Sequence, residues 1–144
     1  MELHHSKHHQ TYVTSFNNFS EQIAEAKEKQ DIQAQIALQP LINFYGGGHI
    51  NHTLFWENLA PTSKGGGEPP KGPLSQAIND SYGTLDALKE KFNTALAGIQ
   101  GSGWAWLVQD TQTGSISIKT YANQDPVVGQ FRPLLGIDAW EHAY

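Results

Sequence analysis

A segment rich in glycine and proline, PTSKGGGEPPKGP at residues 61–73, divides the chain into two parts with different patterns. Helical spacing of apolar residues dominates before it, whereas two helical patterns and then three runs of period two follow it. Clusters of turn-forming residues of this kind separate structural units. We therefore expect a helical N-terminal domain at residues 1–62, a linker at 63–73 and an α/β domain at 74–144.

The first part predicts two or more helices. Residues 2–29 contain no glycine or proline and predict a helix, with a break or kink expected in NNFS at 17–20. Residues 31–39 predict a short second helix that Pro40 ends. We interpret the glycine triplet at 46–48 as a turn, followed by a further helix at 49–59.

The second part combines helices with strands. Apolar spacing predicts helices at 74–82 and 85–99, the latter with Thr84 as its N-cap. The runs GWAWLVQD, GSISIKTYA and RPLLGIDAWEHAY are aromatic or β-branched with period two, so each predicts a strand. The order of elements indicates an α+β fold with its sheet at the C-terminal end.

Composition excludes several classes of function. The 144 residues include no cysteine, which rules out disulfide frameworks, thiolate metal sites and cysteine nucleophiles. The formal net charge is −5 and no basic block occurs, so we expect no nucleic-acid partner. No apolar run approaches the roughly 20 residues of a membrane span, so we expect no membrane partner either.

The seven histidines fall into three clusters, which suggests a metal site. In a helix His4, His8 and Tyr12 share one face, whereas His5 and His9 point away from it. By the same rule His49, His52 and Trp56 share a face of a later helix. Along a strand, Asp138, Trp140 and His142 alternate onto one side.

Imidazole nitrogen and carboxylate oxygen bind zinc, iron or manganese when thiolates are absent. Histidine pairs at helical spacing also arise by chance, and histidines near a terminus are often simply solvated. Three separate clusters, one of which includes a strand carboxylate, favour the metal site.

Five sequence blocks, LHHSKHHQTYV, GGGHINHTLFW, GSGWAWL, NQDP and GIDAWEHAY, resemble the manganese/iron superoxide dismutase family over essentially the whole chain. The resemblance implies an N-terminal helical hairpin followed by an α/β domain with a three-stranded antiparallel sheet. It also implies one metal ion per subunit, bound by His4, His52, Asp138 and His142.

The resemblance assigns roles to further residues. Tyr12 matches the gateway residue of the substrate funnel, His8 its neighbour, and Gln124 the glutamine that contacts Tyr12 and a solvent ligand. Aromatic walls of the site would come from Trp56, Trp104 and Trp140. The implied catalytic residues are Tyr12, Gln124, His8 and Trp140, and the implied subunit-interface residues are Phe44 and Glu141.

The position of the glutamine favours manganese over iron. Iron-type members carry it in the first domain, where this chain has Gly48, whereas manganese-type members carry it in the second domain, as Gln124 does here. The implied activity is disproportionation of superoxide to dioxygen and hydrogen peroxide by a homodimer or homotetramer. The expected location is the mitochondrial matrix, with the cytoplasm as alternative. Lys7 and Arg132 are candidates for steering the anion locally.

Two rival functions remain open at this point. The histidines and the aspartate also suit a metal-dependent hydrolase or oxygenase, although no HExxH helix occurs, or a scaffold in which an ion only holds helices to the sheet. Family members normally carry a segment before LHHSKHH and further helices after WEHAY. We therefore expect a partial sequence, truncated at its C-terminus, that would be poorly soluble or bind metal weakly if expressed alone.

Overall fold

The computed structural model describes residues 1–144 and has the α+β architecture that the sequence predicts. A helical hairpin is followed by two shorter helices and a three-stranded antiparallel sheet. The elements are a π-helix at His4–His9, α1 (Gln10–Glu28), α2 (Ile32–Glu57), α3 (Pro73–Tyr82), α4 (Leu85–Ala97), β1 (Gly103–Asp110), β2 (Ile116–Ala122) and β3 (Phe131–Asp138), with 3₁₀ turns at Thr62–Lys64 and Glu141–Ala143.

The first helix of the hairpin is continuous, so the expected break at residues 17–20 is wrong. The asparagines of that segment face solvent, while Phe16 and Phe19 lie on the side that packs against α2. The ring of Phe19 stacks on Tyr45 with centroids 5.3 Å apart. This packing holds the helix together where local propensity is weak. The irregularity lies instead at its start, where His4–His9 forms a π-helix.

The second helix runs through Pro40 and through the glycine triplet, so both expected interruptions are wrong. Pro40 and Ile36 are exposed, so water can bond the Ile36 carbonyl that proline leaves without a donor. The glycines are required by close packing: a Cβ at Gly48 would overlap the Tyr12 ring, and a Cβ at Gly47 would overlap the Gln124 carbonyl. The triplet therefore lets α2 approach its neighbours closely.

The segment between the hairpin and the sheet contains the two short helices. Helix α4 is capped as predicted, because the Thr84 hydroxyl accepts a 3.0 Å hydrogen bond from the Ala87 amide. Helix α2 ends at Glu57 and α3 begins at Pro73, with irregular chain and one 3₁₀ turn between them. The division into domains at 1–62 and 74–144 stays a prediction.

The sheet has the order β2-β1-β3, so β1 lies in its centre. On one side of β1, Ala105 and Leu107 pack against Phe92 and the rest of α3 and α4. On the other side, Trp104 and Trp106 pack toward the C-terminal part of α2. The central strand is thus covered on both faces, which matches its nearly continuous apolar sequence.

The third strand ends earlier than predicted. It pairs with β1 so that Asp138 lies opposite Trp104, and it stops there. The chain then passes through Trp140 into the 3₁₀ turn that contains His142. The expected strand alternation of Asp138, Trp140 and His142 is therefore wrong, because a turn and not a strand carries the histidine. None of the helices is both long enough and apolar enough to cross a lipid bilayer.

Candidate metal centre

Four side chains from four different elements converge on one point: their nearest ligand atoms all lie within 4.8 Å of one another. Around the Asp138 Oδ2 atom, the Nε2 atoms of the three histidines lie at 3.1 Å for His4, 3.6 Å for His52 and 2.9 Å for His142. His4, His52 and Asp138 are buried and His142 is half-buried. The structure thus brings together the four residues named as ligands on the basis of resemblance.

The imidazole of His52 is oriented by the backbone of its own helix. Its Nδ1 lies 2.7 Å from the carbonyl oxygen of Gly48, one turn earlier in α2. A carbonyl can only accept, so the Nδ1 atom carries the proton and the Nε2 atom presents its lone pair to Asp138. A backbone carbonyl that holds the outer nitrogen is the usual partner of a metal-ligating histidine.

The carboxylate of Asp138 is held by the turn that follows it. Its Oδ1 atom accepts a 2.9 Å hydrogen bond from the backbone amide of Trp140. The other oxygen, Oδ2, faces the three imidazoles, and the side chain of Asp138 is completely inaccessible to solvent. The end of β3 and the first residues after it therefore fix both oxygens of this group.

The unpartnered nitrogens show that the cluster fits a cation. The Nε2 atoms of His4 and His52 are buried without a hydrogen-bond partner, although each lies near Asp138. Buried polar atoms normally have partners, and two that point at a carboxylate suit a positive ion between them. Three imidazoles and one carboxylate form a donor set appropriate to manganese or iron.

His4 and His52 are neutral at pH 7 before any ion binds. Burial, followed by the nearby His142, lowers the pKa of His4 to about 4. Burial lowers the pKa of His52 to about 3, despite the opposing hydrogen bond to Gly48. Burial raises the pKa of Asp138, because removal from water disfavours its charged form. Two lone pairs are therefore free for a metal at neutral pH.

A second buried network connects Tyr12 of α1 to the sheet. The Gln124 side-chain amide donates a 3.1 Å hydrogen bond to the Tyr12 hydroxyl, and its oxygen accepts from the Trp104 indole at 3.0 Å. Asn51 Nδ2 donates to both the backbone and the side-chain oxygen of Gln124. The Tyr12 ring also stacks on His52, with centroids 5.1 Å apart. The network therefore lies directly beside the cluster.

Burial raises the pKa of Tyr12 to about 12, although the hydrogen bond from Gln124 acts in the opposite direction. The phenol therefore keeps its proton throughout the physiological range. This proton can be donated to a bound group. The Gln124 amide donates a hydrogen bond to the Tyr12 oxygen and so stabilises that oxygen when the proton leaves.

The remaining residues with predicted roles surround the cluster at greater distance. His8 is half-buried and its ring stacks on His142, with centroids 4.6 Å apart and planes at 17°. Trp140 also stacks on His142, with centroids 5.6 Å apart and planes at 21°. Phe44 packs between Tyr12 and Trp140, whereas Glu141 is exposed. The interface roles of the last two residues stay predictions.

Two positional expectations are wrong. His9 does not point away from the site: its ring lies 5.6 Å from that of His52, because the π-helix changes the spacing that an α-helix would give. Arg132 lies six residues before Asp138 on β3, which at about 3.3 Å per residue places its backbone roughly 20 Å away. Arg132 therefore cannot steer an anion locally, while Lys7 is exposed beside His8.

Sequence reasoning missed the contribution of Asn51. It is completely buried next to His52 and holds Gln124 in place, yet one asparagine in a helix carries no pattern of its own. Only the position of Asn51 could have indicated its role. It directly precedes His52 and lies on the side of α2 that the glycine triplet brings close to Gln124.

Comparison with known proteins places each part of the chain in the same group. Residues 1–60 match the family of iron/manganese superoxide dismutases, alpha-hairpin domain, and residues 70–144 match the iron/manganese superoxide dismutases, C-terminal domain. Among curated proteins, the chain is 52% identical to "Superoxide dismutase [Mn] 1, mitochondrial" of Arabidopsis thaliana and 54% identical to "Superoxide dismutase [Mn], mitochondrial" of Capsicum annuum. It is also 52% identical to "Superoxide dismutase [Mn] 3.1, mitochondrial" of Zea mays.

These similarities extend over the whole of the chain but not over the whole of the relatives. In each case 100% of this chain is aligned, and it covers 64% of the Arabidopsis and Capsicum proteins and 63% of the maize protein. The chain therefore spans somewhat less than two thirds of the length of these relatives.

Proposed function

The chain belongs to the iron/manganese superoxide dismutase family, and on that premise we propose that the protein is a manganese superoxide dismutase. The observation that carries the proposal is the convergence of His4, His52, Asp138 and His142, with two buried imidazole nitrogens that have no partner. The names of the relatives, each a mitochondrial manganese enzyme, support the choice of metal.

The reaction converts two superoxide ions and two protons into dioxygen and hydrogen peroxide. One superoxide gives up an electron and leaves as dioxygen, and the second takes up that electron with two protons. When bound, manganese would supply a centre that alternates between two oxidation states and so stores the electron between the two half-reactions.

The protein's own residues have three tasks in this scheme. The imidazoles of His4, His52 and His142 with the Asp138 carboxylate would hold the ion. Gly48 and the Trp140 amide keep two of these ligands in orientation. The aromatic rings of Trp104 and Phe55 lie 5.2 Å from His52 and 5.5 Å from His4, respectively, and exclude water from that side.

Proton delivery is the task of Tyr12 and Gln124. The Tyr12 hydroxyl holds a proton beside the cluster, and the Gln124 amide fixes the position of that hydroxyl. Trp104 and Asn51 in turn fix the amide, so its nitrogen always points toward Tyr12. His8, half-buried next to His142, can resupply a proton from solvent.

The partners and location follow from the same proposal. Superoxide is the substrate, and we expect self-association to a homodimer or homotetramer through surfaces that include Phe44 and Glu141. We propose the mitochondrial matrix as the location, in line with the names of the relatives. Manganese is preferred to iron because the amide next to Tyr12 comes from Gln124 of the second part of the chain.

One pair of measurements separates this function from its rivals. The full-length protein should be purified with its native metal, its metal content determined, and its consumption of superoxide measured. Manganese together with rapid superoxide consumption would support the dismutase. Zinc with hydrolytic activity would support the rival hydrolase, and bound metal without any activity would support a structural scaffold.

A further inference from the structure

We propose that Trp56, His9 and His49 form a hydrogen-bonded positioning unit that sets the ring orientation of the two helical ligands, His4 and His52. The inference rests on the proposed metal-binding function of those ligands. None of the three residues belongs to the converging group of four, and none takes part in the network around Gln124.

The hydrogen bonds of the unit fix one tautomer at each histidine. The Trp56 indole nitrogen donates to His9 Nδ1 at 3.0 Å, and an indole can only donate. His9 Nδ1 therefore has no proton, and its proton must be on Nε2. That Nε2 lies 3.1 Å from His49 Nδ1, which accepts, so the proton of His49 is on its own Nε2. A single donor-only group thus determines the state of two imidazoles.

The π-helix brings His9 into this position. In an α-helix of 3.6 residues per turn, residues five apart point in directions about 140° apart. In a π-helix the hydrogen bond joins residues five apart, so His4 and His9 lie nearly one above the other. Both rings therefore face α2. The π-helix thus directs the ligand His4 and the supporting residue His9 to the same side.

The unit contacts both ligands from its own side of the site. The Trp56 ring lies edge-on to His4, with centroids 5.1 Å apart and planes at 76°. The His9 ring lies nearly parallel to His52, with centroids 5.6 Å apart and planes at 22°. The Gly48 carbonyl fixes one edge of the His52 ring, and His9 restricts its face. Rotation of either ligand would require the hydrogen-bonded unit to move.

The test uses the full-length protein with two leucine variants. In His9→Leu both hydrogen bonds of the unit are lost while the bulk remains. His5→Leu is the matched control, because His5 is exposed on the same π-helix and touches Trp56 without a hydrogen bond. The measurements are manganese affinity and the zero-field splitting of the bound ion by electron paramagnetic resonance. Loss of a residue that orients a ligand typically costs about 10–100-fold in metal affinity.

We expect His9→Leu to show that loss together with a changed zero-field splitting, and His5→Leu to match the wild type in both. Equal affinity and an unchanged spectrum in His9→Leu would overturn the proposal. Should this variant fail to fold, or the wild type bind no manganese, histidine ¹⁵N spectra of the metal-free wild type decide. Protons on Nε2 of both His9 and His49 would support the unit, and a proton on Nδ1 of either would overturn it. Failure of the dismutase function would instead appear as absent metal or absent superoxide consumption.

Discussion

The amide nitrogen of Gln124 donates a 3.1 Å hydrogen bond to the hydroxyl of Tyr12, a residue 112 positions earlier in the chain. This bond connects the loop after β2 to the first helix, across the face of α2 that the glycine triplet opens. It joins the two parts of the chain directly beside the candidate metal centre.

Replacing Gln124 with Leu should weaken both folding and catalysis. The Trp104 indole would lose its only acceptor in a completely buried place, which costs about 1–3 kcal/mol of unfolding free energy. Tyr12 would lose the donor that fixes its hydroxyl, so we also expect a tenfold or larger fall in superoxide turnover. Urea unfolding and a superoxide assay measure the two effects. Gln112→Leu, on an exposed turn, is the control and should stay within about 0.5 kcal/mol.

Replacing Gly48 with Ala should destabilise the hairpin. The added methyl group would overlap the Tyr12 ring, and overpacking of this kind costs about 1–3 kcal/mol. Gly98→Ala is a suitable control, because its φ is −83° and the nearest atom to an added Cβ is 3.4 Å away. Thermal unfolding of the two variants tests the explanation: equal melting temperatures would contradict the close approach of α2 to Tyr12.

The metal-free protein should lose stability in mild acid because of its buried histidines. In the unfolded chain a histidine has a pKa near 6.5, whereas folding lowers it to about 4 for His4 and about 3 for His52. Between pH 6.5 and about 4 the unfolded chain therefore binds more protons, so stability falls as the pH falls. Asp138, with its raised pKa, acts in the opposite direction.

The variant His52→Gln isolates this effect, since it removes one titrating group and leaves Asp138 in place. Its unfolding free energy should fall less between pH 7 and pH 5 than that of the wild type, both measured by urea unfolding without metal. Parallel pH curves for the two proteins would show that burial of His52 does not cause the acid sensitivity.

Local patterns predicted the elements whose stability is local. The amphipathic helices α3 and α4, the cap at Thr84 and the central strand β1 follow from spacing and propensity alone, and the structure has them. Helix α2 could not be predicted in this way. Its glycine triplet looks like a helix break in the sequence. In the structure these glycines allow close packing against Tyr12 and Gln124, which are distant in sequence, and the helix continues through them.

The candidate site, too, was predicted only in part. Resemblance supplied the four converging residues, whereas helical and strand spacing misplaced His9 and His142, because a π-helix and a 3₁₀ turn carry them. Both are departures from the regular geometry on which spacing arguments depend. The buried Asn51 has no sequence pattern, and only the hydrogen bonds to Gln124 identify it.

The most direct test of the account is a titration of the metal-free full-length protein with manganese, with superoxide consumption followed at each step. Activity should rise linearly and stop at one ion per chain, and Asp138→Asn, which removes the central charge but keeps the shape of the side chain, should bind manganese at least tenfold more weakly. Full manganese occupancy without superoxide consumption, or undiminished binding by Asp138→Asn, would contradict it.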